Sequence, residues 1–343
     1  MSNNQQNILV TGGAGYIGNI LVPRLLEENY EVTVLDRFFF GDYFLEHKNL
    51  TKIRADSRNY DPGILKGVDA VIDLVAISND PSGEAFEEAT YQINYESRVN
   101  TAKLAKKQGV KKYILPSSCS IYGFQEENVV ADENSPTNPL TSYAKANELA
   151  EKEILPLADD NFIVTVVRQA TVYGYSPRMR FDLAINGMTY GAWKEKKLPL
   201  MRDGKQWRPM IHIHDTSNAI IFMLKQSSDK VNAQIFNAGS SDNVYQLGNL
   251  AERVIKSLGE DIPIEWYGDR DVRSYNVSFK KINNLGFKTS YFAEDGVKEI
   301  VSKLEDGKLR KSKKTITLDW YKEITTSKEK VKELELNGKM LNF

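Results

Sequence analysis

Ile8-Leu9-Val10-Thr11-Gly12-Gly13-Ala14-Gly15-Tyr16-Ile17-Gly18 decides how this chain is read. A short apolar run enters a turn with glycine at its first, fourth and seventh positions, and a helical pattern follows. At such a strand–turn–helix corner Gly12 makes the tight turn and Gly15 lets backbone N–H groups approach a pyrophosphate. Gly18 lets the helix pack closely on the sheet, while the helix start at Tyr16 and Ile17 faces the anion. A glycine triplet alone also fits an ordinary corner, so two acids carry weight. The next apolar strand, Glu31 to Leu35, ends in Asp36, about 20 residues on, where an acid accepts from an adenosine ribose. Asp56 and Ser57 follow a third strand and can reach the adenine. The corner reads as a dinucleotide site.

Asp36 also bears on which dinucleotide binds. Its carboxylate accepts from a free 2′-hydroxyl and repels a 2′-phosphate, which favours NAD over NADP. Arg37 follows directly and can pair with a phosphate, or stand as a solvated loop cation.

The 343 residues are enough for a full core and a division into lobes. Basic and acidic residues nearly cancel, 45 against 46, so no overall field recruits nucleic acid or an anionic membrane. One cysteine, Cys119, excludes an internal disulfide, and three scattered histidines offer no metal cluster. The polar start, Met1 to Gln6, lacks a targeting pattern, and no apolar run approaches membrane-spanning length. The expectation is a cytoplasmic protein.

Apolar runs and amphipathic stretches alternate through the first 240 or so residues. Val68 to Ala76, Lys112 to Leu115 and Phe162 to Arg168 read as strands, with helices at Glu84–Gln108 and Tyr143–Leu155. Further on, Ile211-His212-Ile213 and Ile235-Phe236-Asn237 look set to rejoin the sheet. On a strand His212 and His214 would point to opposite faces. The lysine-rich tail from Lys303 reads as solvated surface plus a last helix. This is an α/β chain with a doubly wound parallel sheet and a smaller mixed α/β lobe. Residues 1–174 and 211–256 form the cofactor domain in this reading, and 175–210 with 257–343 the substrate lobe.

An open parallel sheet binds ligands at its carboxyl edge. Two segments fall there: Pro116-Ser117-Ser118-Cys119-Ser120-Ile121-Tyr122-Gly123 and Ser142-Tyr143-Ala144-Lys145-Ala146-Asn147. A serine that positions a substrate hydroxyl and a tyrosine that takes its proton form a pair suited to hydride transfer.

With these residues in order the chain resembles the extended short-chain dehydrogenases/reductases, the NAD-dependent nucleotide-sugar epimerases, dehydratases and reductases built on a Rossmann sheet. The resemblance runs from Asn7 to about Phe287. It takes in the glycine turn, Asp36, Asp56, Leu74-Val75-Ala76, Asn94, Ser117-Ser118, Tyr143, Arg168 to Gly174, Gly204 to Arg208 and Ile211 to Asp215. It implies that Ser118 positions the hydroxyl and Tyr143 is the acid/base. Leu74, Val75, Ala76, Asn94, Tyr143, Asn147 and Ala170 join the cofactor site. The substrate is a nucleotide-diphosphate sugar, and the protein is a homodimer paired through the helices at Glu84–Gln108 and Tyr143–Leu155.

Two departures matter. The family pairs its tyrosine with a lysine four residues on, and here that residue is Asn147. A lysine there bonds the cofactor ribose and lowers the phenol's pKa; Asn147 can donate but brings no charge. Lys145 lies about 200° around the helix and cannot substitute. The enzyme is then slower, or another cation fills in, or the site has become a dinucleotide-binding regulatory one. Second, Ser118-Cys119-Ser120 stands where family dehydratases carry Thr-Asp-Glu, which argues against elimination of water. Redox at one carbon, most often C4, remains: 4-epimerisation above all, then 4-dehydrogenation, with an NADP-dependent keto-sugar reductase as the alternative.

For the substrate, Arg178, Arg180, Arg208 and Arg273 come from three segments that can converge on a diphosphate. Thr171 replaces an asparagine that often touches the diphosphate. Ser78 and Asn79 can contact the hexose or cap a loop. Trp207 and the Phe38-Phe39-Phe40 run read as packing.

Overall fold

Strand β1, Asn7–Thr11, sends Ile8 and Val10 toward one helical layer and Leu9 toward the other, as a two-residue period requires. Both faces of the strand are therefore buried, which is why it reads as continuous apolar sequence. The computed structural model describes residues 6–126, 129–269 and 273–334, with side chains to residue 330. Residues 1–5 of the polar start and the end of the lysine-rich tail lie outside it.

Six more strands complete the central sheet: β2 (Glu31–Asp36), β3 (Leu50–Arg54), β4 (Ala70–Asp73), β5 (Lys112–Ser118), β6 (Ile163–Gln169) and β7 (Gln234–Ala238). Their order is β7-β6-β5-β4-β1-β2-β3, and every pairing is parallel. The direction of winding reverses between β1 and β4, so a crevice opens at their carboxyl ends. One layer packs Leu21, Leu25, Ile220 and Met223 from helices Gly18–Glu27 and Ile213–Lys225. The other packs Val99, Ala102, Ala150 and Ile154 from helices Ser97–Lys107 and Ser142–Ile154. This is the doubly wound α/β sheet expected from the sequence.

The strand expected over Val68 to Ala76 is shorter, because Leu74–Ala76 leave the sheet as a loop at its carboxyl edge. β5 runs on through Pro116 to Ser118; its pairing with β4 ends at Ile114, so the missing proline N–H breaks no ladder on that side. The helix expected over Glu84–Gln108 is split into Asp80–Ala85, Glu87–Tyr91, a wide turn at Gln92–Glu96, and Ser97–Lys107.

Ile235-Phe236-Asn237 does rejoin the sheet, in β7. Ile211-His212-Ile213 does not. Trp207–His212 belongs to a separate three-stranded sheet with Thr171–Tyr173 and Val244–Gln246. His212 then caps helix Ile213–Lys225, its Nδ1 accepting from the His214 N–H at 3.4 Å. The period changes from strand to helix at that residue, so the two histidines share a side. Both reach Glu299, at 3.1 and 3.6 Å.

A second core joins Ile185, Leu198, Leu200, Leu250, Ala251, Val254 and Val297. Helix Leu247–Leu258 contributes three of these, so it shares a core with Ile185, Leu198 and Leu200 from the 175–210 stretch. The last helix, Thr317–Leu334, returns to the first lobe. Trp320 Nε1 donates to the Phe39 carbonyl at 2.7 Å, and Tyr321 meets Phe40 edge-on at 5.5 Å. Among the described residues no helix is long and apolar enough to cross a membrane.

Candidate active site

The carboxyl ends of β1, β4, β5 and β6 open into a cleft of about 500 Å³. Its lining includes Gly12, Gly15, Tyr16, Ile17, Gly18, Asp36, Arg37, Asp56, Ser57, Leu74, Val75, Ala76 and Ala170. Gly12 has φ +67°, and a Cβ on it would sit 2.6 Å from the Val75 backbone nitrogen. Glycine is thus required both by the turn and by the close approach of the β4 loop. A Cβ on Gly18 would collide with the Gly13 carbonyl. Asp36 ties this corner together, accepting from Ala14 N at 3.0 Å and Phe38 N at 2.7 Å. Burial pushes the Asp36 carboxyl up, against those backbone hydrogen bonds. A carboxylate offers about four acceptor sites, so the backbone donors leave room for a ribose hydroxyl.

Arg37 is occupied by Asp56 at 2.6 Å. Arg58 grips the same carboxylate at 2.8 Å and is the main reason that Asp56 lies well below the usual carboxylate range. A 2′-phosphate would compete with that pair for Arg37 and meet Asp36 as well, which suits NAD. Tyr16 has its hydroxyl buried on Gly174 O at 2.6 Å, leaving its backbone at the cleft.

Ser118 at the end of β5 and Tyr143 at the start of helix Ser142–Ile154 both line the middle of the cleft. Thr141 caps that helix through Ala144 N at 3.2 Å, which fixes where Tyr143 emerges. Burial holds the Tyr143 phenol above the ordinary tyrosine range, and Asp80 adds to this. A hydrogen bond with Ser118 and the charges of Arg98 and Arg180 pull it down.

Two expected residues do not line the cleft. Asn94 is fully buried and clamps Ile77 from both sides, its Oδ1 accepting from Ile77 N at 2.8 Å and its Nδ2 donating to Ile77 O at 3.0 Å. It shapes the loop after β4. Asn147 is buried too: its Nδ2 donates to the Tyr143 carbonyl at 2.9 Å and its Oδ1 accepts from Arg98 Nη1 at 2.9 Å.

The four arginines line one cleft but split into two groups. Arg178 lies 3.6 Å over the Phe40 ring, donates to Thr317 and acts on Asp36, so it sits at the cofactor end. Burial, with repulsion from Arg180, pushes its pKa down to about 10. Arg180 is forked onto Asp182 at 2.9 Å and donates to Ser78 at 3.2 Å. Arg208 stacks 4.9 Å from the Tyr275 ring and donates to the Arg273 carbonyl, while Arg273 pairs with Asp80. Asn79 caps helix Asp80–Ala85 through Ser82 N at 2.9 Å and also lines the cleft. Thr171 lies at the cleft wall.

Other cleft residues were given no role by the sequence. Ser117, Ser120, Gln169 and Gln206 line the cleft and carry buried side-chain atoms with no partner, both ends of the Gln206 amide included. Buried groups without partners are costly, so these suit a polyhydroxylated ligand that supplies them. Asp80, Asp182 and Tyr321 also line it. Only long-range packing brings Tyr321 there.

Residues 8–239 match the family model described as the NAD dependent epimerase/dehydratase family. The chain belongs to that family. A Methanocaldococcus jannaschii protein provisionally named UDP-glucose 4-epimerase is 27% identical over 86% of this chain and 97% of its own length. A UDP-N-acetyl-alpha-D-glucosaminuronate decarboxylase of Bacillus cytotoxicus is 27% identical over 83% of this chain and 87% of its own. The solved structure of MoeE5 in complex with UDP-glucuronic acid and NAD superposes with a TM-score of 0.78, at 22% identity over 88% of this chain and 99% of that one. The cofactor of the family is NAD, and Gly12, Gly18 and Asp36 have the geometry to hold it. Relatives in the family act as epimerases, dehydratases and decarboxylases of nucleotide sugars.

Proposed function

We propose that this protein is an NAD-dependent nucleotide-sugar oxidoreductase working at C4, and that it is a 4-epimerase. The observation that carries this reading is Tyr143 beside Ser118 in the cleft, with no carboxylate in the segment that follows β5. Cys119 there is buried, its thiol donating to Arg168 O at 3.3 Å. The cleft carboxylates nearest Tyr143 and Arg180 are engaged elsewhere, Asp80 with Thr141 and Arg273, Asp182 with Arg180 and Asn79. That arrangement offers no free acid for elimination.

Tyr143 as phenolate takes the proton of the C4 hydroxyl while Ser118 holds the oxygen. When bound, NAD accepts the hydride from C4 and returns it, so the reaction needs no outside electrons. Tyr143 gives its proton back to the same oxygen in the second half. Between the halves the keto-sugar must turn, and Gln169, Gln206 and Ser120 offer hydrogen bonds to more than one pose. Arg208 and Arg273 hold the diphosphate, Arg273 keeping its pair with Asp80. Substrate-side roles for Arg180, Ser78 and Thr171 belong to the same reading, while Arg178, first read as a substrate residue, goes to the cofactor end with Asp36. So do a second copy of the chain packed on helices Ser97–Lys107 and Ser142–Ile154, and a cytoplasmic setting.

NAD-loaded protein incubated with UDP-hexoses, UDP-N-acetylhexosamines and UDP-hexuronates tests this by proton NMR of the products. Inversion at C4 is expected. A product short of water or carbon dioxide contradicts it. Tight NAD binding with no product from any sugar favours the regulatory reading that Asn147 suggests.

A further inference from the structure

Arg98 occupies a place that its residue type alone does not explain. Asn94, Ser97, Arg98, Thr101, Ala102 and Ala105 form the buried stripe of the helical segment that crosses behind the cleft. A guanidinium on such a stripe needs partners, because burying an unpaired charge is costly. Arg98 finds them on three elements. Its Nη2 donates to the carbonyls of Asp73, at the end of β4, and Pro116, two residues before Ser118, at 3.0 and 2.5 Å. Its Nη1 donates to Asn147 Oδ1 at 2.9 Å, on the helix that carries Tyr143. These three elements hold the cofactor loop, the serine and the tyrosine.

Asn147 is oriented by this contact. With its oxygen turned to Arg98, its amide nitrogen faces the Tyr143 carbonyl, 2.9 Å away. A lysine at 147 would bring a second cation against a guanidinium already in place. Arg98 and Asn147 therefore read as a matched pair, and the asparagine as the residue that lets an arginine from the neighbouring helix come close.

We propose that Arg98 is the positioning and charge-supplying residue that replaces the family's helix lysine, acting on Tyr143 through Asn147. The proposal rests on Tyr143 being the proton-exchanging group of the function above. An arginine stays charged at any working pH, so the field at the phenol is permanent. Its positive field is one of the influences that lower the Tyr143 phenol. Around these groups, Asp80 works against it from helix Asp80–Ala85, and Arg180 works with it. Asp73, 3.8 Å from Arg98 Nε, balances the other end of the guanidinium and is itself held by Thr11 Oγ1 at 2.5 Å and by the Tyr113 hydroxyl. Glu84 accepts from Ser142 N at 2.7 Å, on the turn that carries Tyr143.

The test is a carbon-13 NMR titration of tyrosine Cζ in NAD-loaded protein, with the Tyr143 signal assigned by its loss in Tyr143→Phe. No sugar is needed. The quantity read is the Tyr143 midpoint of the parent against that of each variant. It is expected to rise by about one pH unit or more in Arg98→Gln, to stay low in Arg98→Lys, and to return in Arg98→Gln/Asn147→Lys. A midpoint that does not move in Arg98→Gln overturns the proposal. So does a midpoint in Arg98→Lys as high as that in Arg98→Gln, which would show that the charge at 98 is not what acts. A shift without turnover of any nucleotide sugar sinks the epimerase reading and leaves this one standing. Turnover without a shift does the reverse.

Discussion

Asp36 does two jobs with one carboxylate. It fixes the glycine turn through Ala14 and Phe38, and it lines the cleft where the proposed function sets the adenosine ribose. Hydrogen bonds to a charged group contribute about 1.5–3 kcal/mol each. Asp36→Ala is accordingly expected to weaken NAD binding by roughly 10- to 100-fold in a fluorescence titration, with NADP losing less. Equal losses for both cofactors would mean that Asp36 serves the turn alone. Residues of this kind were legible in the sequence because their chemistry is local: Gly12, Gly18 and Asp36 follow strands within one unit, and Tyr143 opens its own helix. Arg98 was not. Its partners are 25, 18 and 49 positions away, and no spacing rule reaches them. The one available signal was an arginine on a helical stripe otherwise made mostly of small residues.

At the scale of elements, His212 shows where periodicity misleads. Strand Trp207–His212 passes straight into helix Ile213–Lys225, and a two-residue period read across that junction puts His214 on the wrong side. The real arrangement gathers both histidines and the Tyr175 N–H on Glu299, from helix Ala293–Glu305. Burial raises the Glu299 carboxyl, but the hydrogen bonds from His212, His214 and Tyr175 outweigh it and hold the pKa to about 2. A depressed carboxyl contributes stability above its unfolded value of about 4.3 and loses it as pH falls toward the folded one. Glu299→Gln is expected to cost about 2 kcal/mol near pH 6 in urea unfolding, with the gap to the parent closing as the pH drops from about 4 to about 2. A gap that stays constant over that range would show that the ionised carboxylate is not what matters.

At the scale of the whole molecule, the doubly wound parallel sheet was readable, because strands and helices alternate in the sequence as they do in space; the strand order was not. The return of helix Thr317–Leu334 to the cofactor end was not, since its docking on Phe39 and Phe40 depends on contacts across some 280 residues. The helix pair Ser97–Lys107 and Ser142–Ile154 presents Lys103, Glu153 and Lys152 to solvent, with Lys103 and Glu153 3.7 Å apart. A second copy docking there would meet a charged face. Light scattering is expected to give about twice the 38.9 kDa chain mass and to drift toward one chain as salt is raised. A one-chain mass at low salt contradicts the paired arrangement.

Proton exchange at Tyr143 is the claim on which the functional account turns, and one comparison addresses it directly. Parent and Tyr143→Phe, both loaded with NAD, are given the same nucleotide sugars, and C4 inversion is followed by NMR. The expected result is inversion by the parent, a loss of about 100-fold or more in Tyr143→Phe, and NAD affinity that barely changes. Inversion at an undiminished rate without the phenol would contradict it.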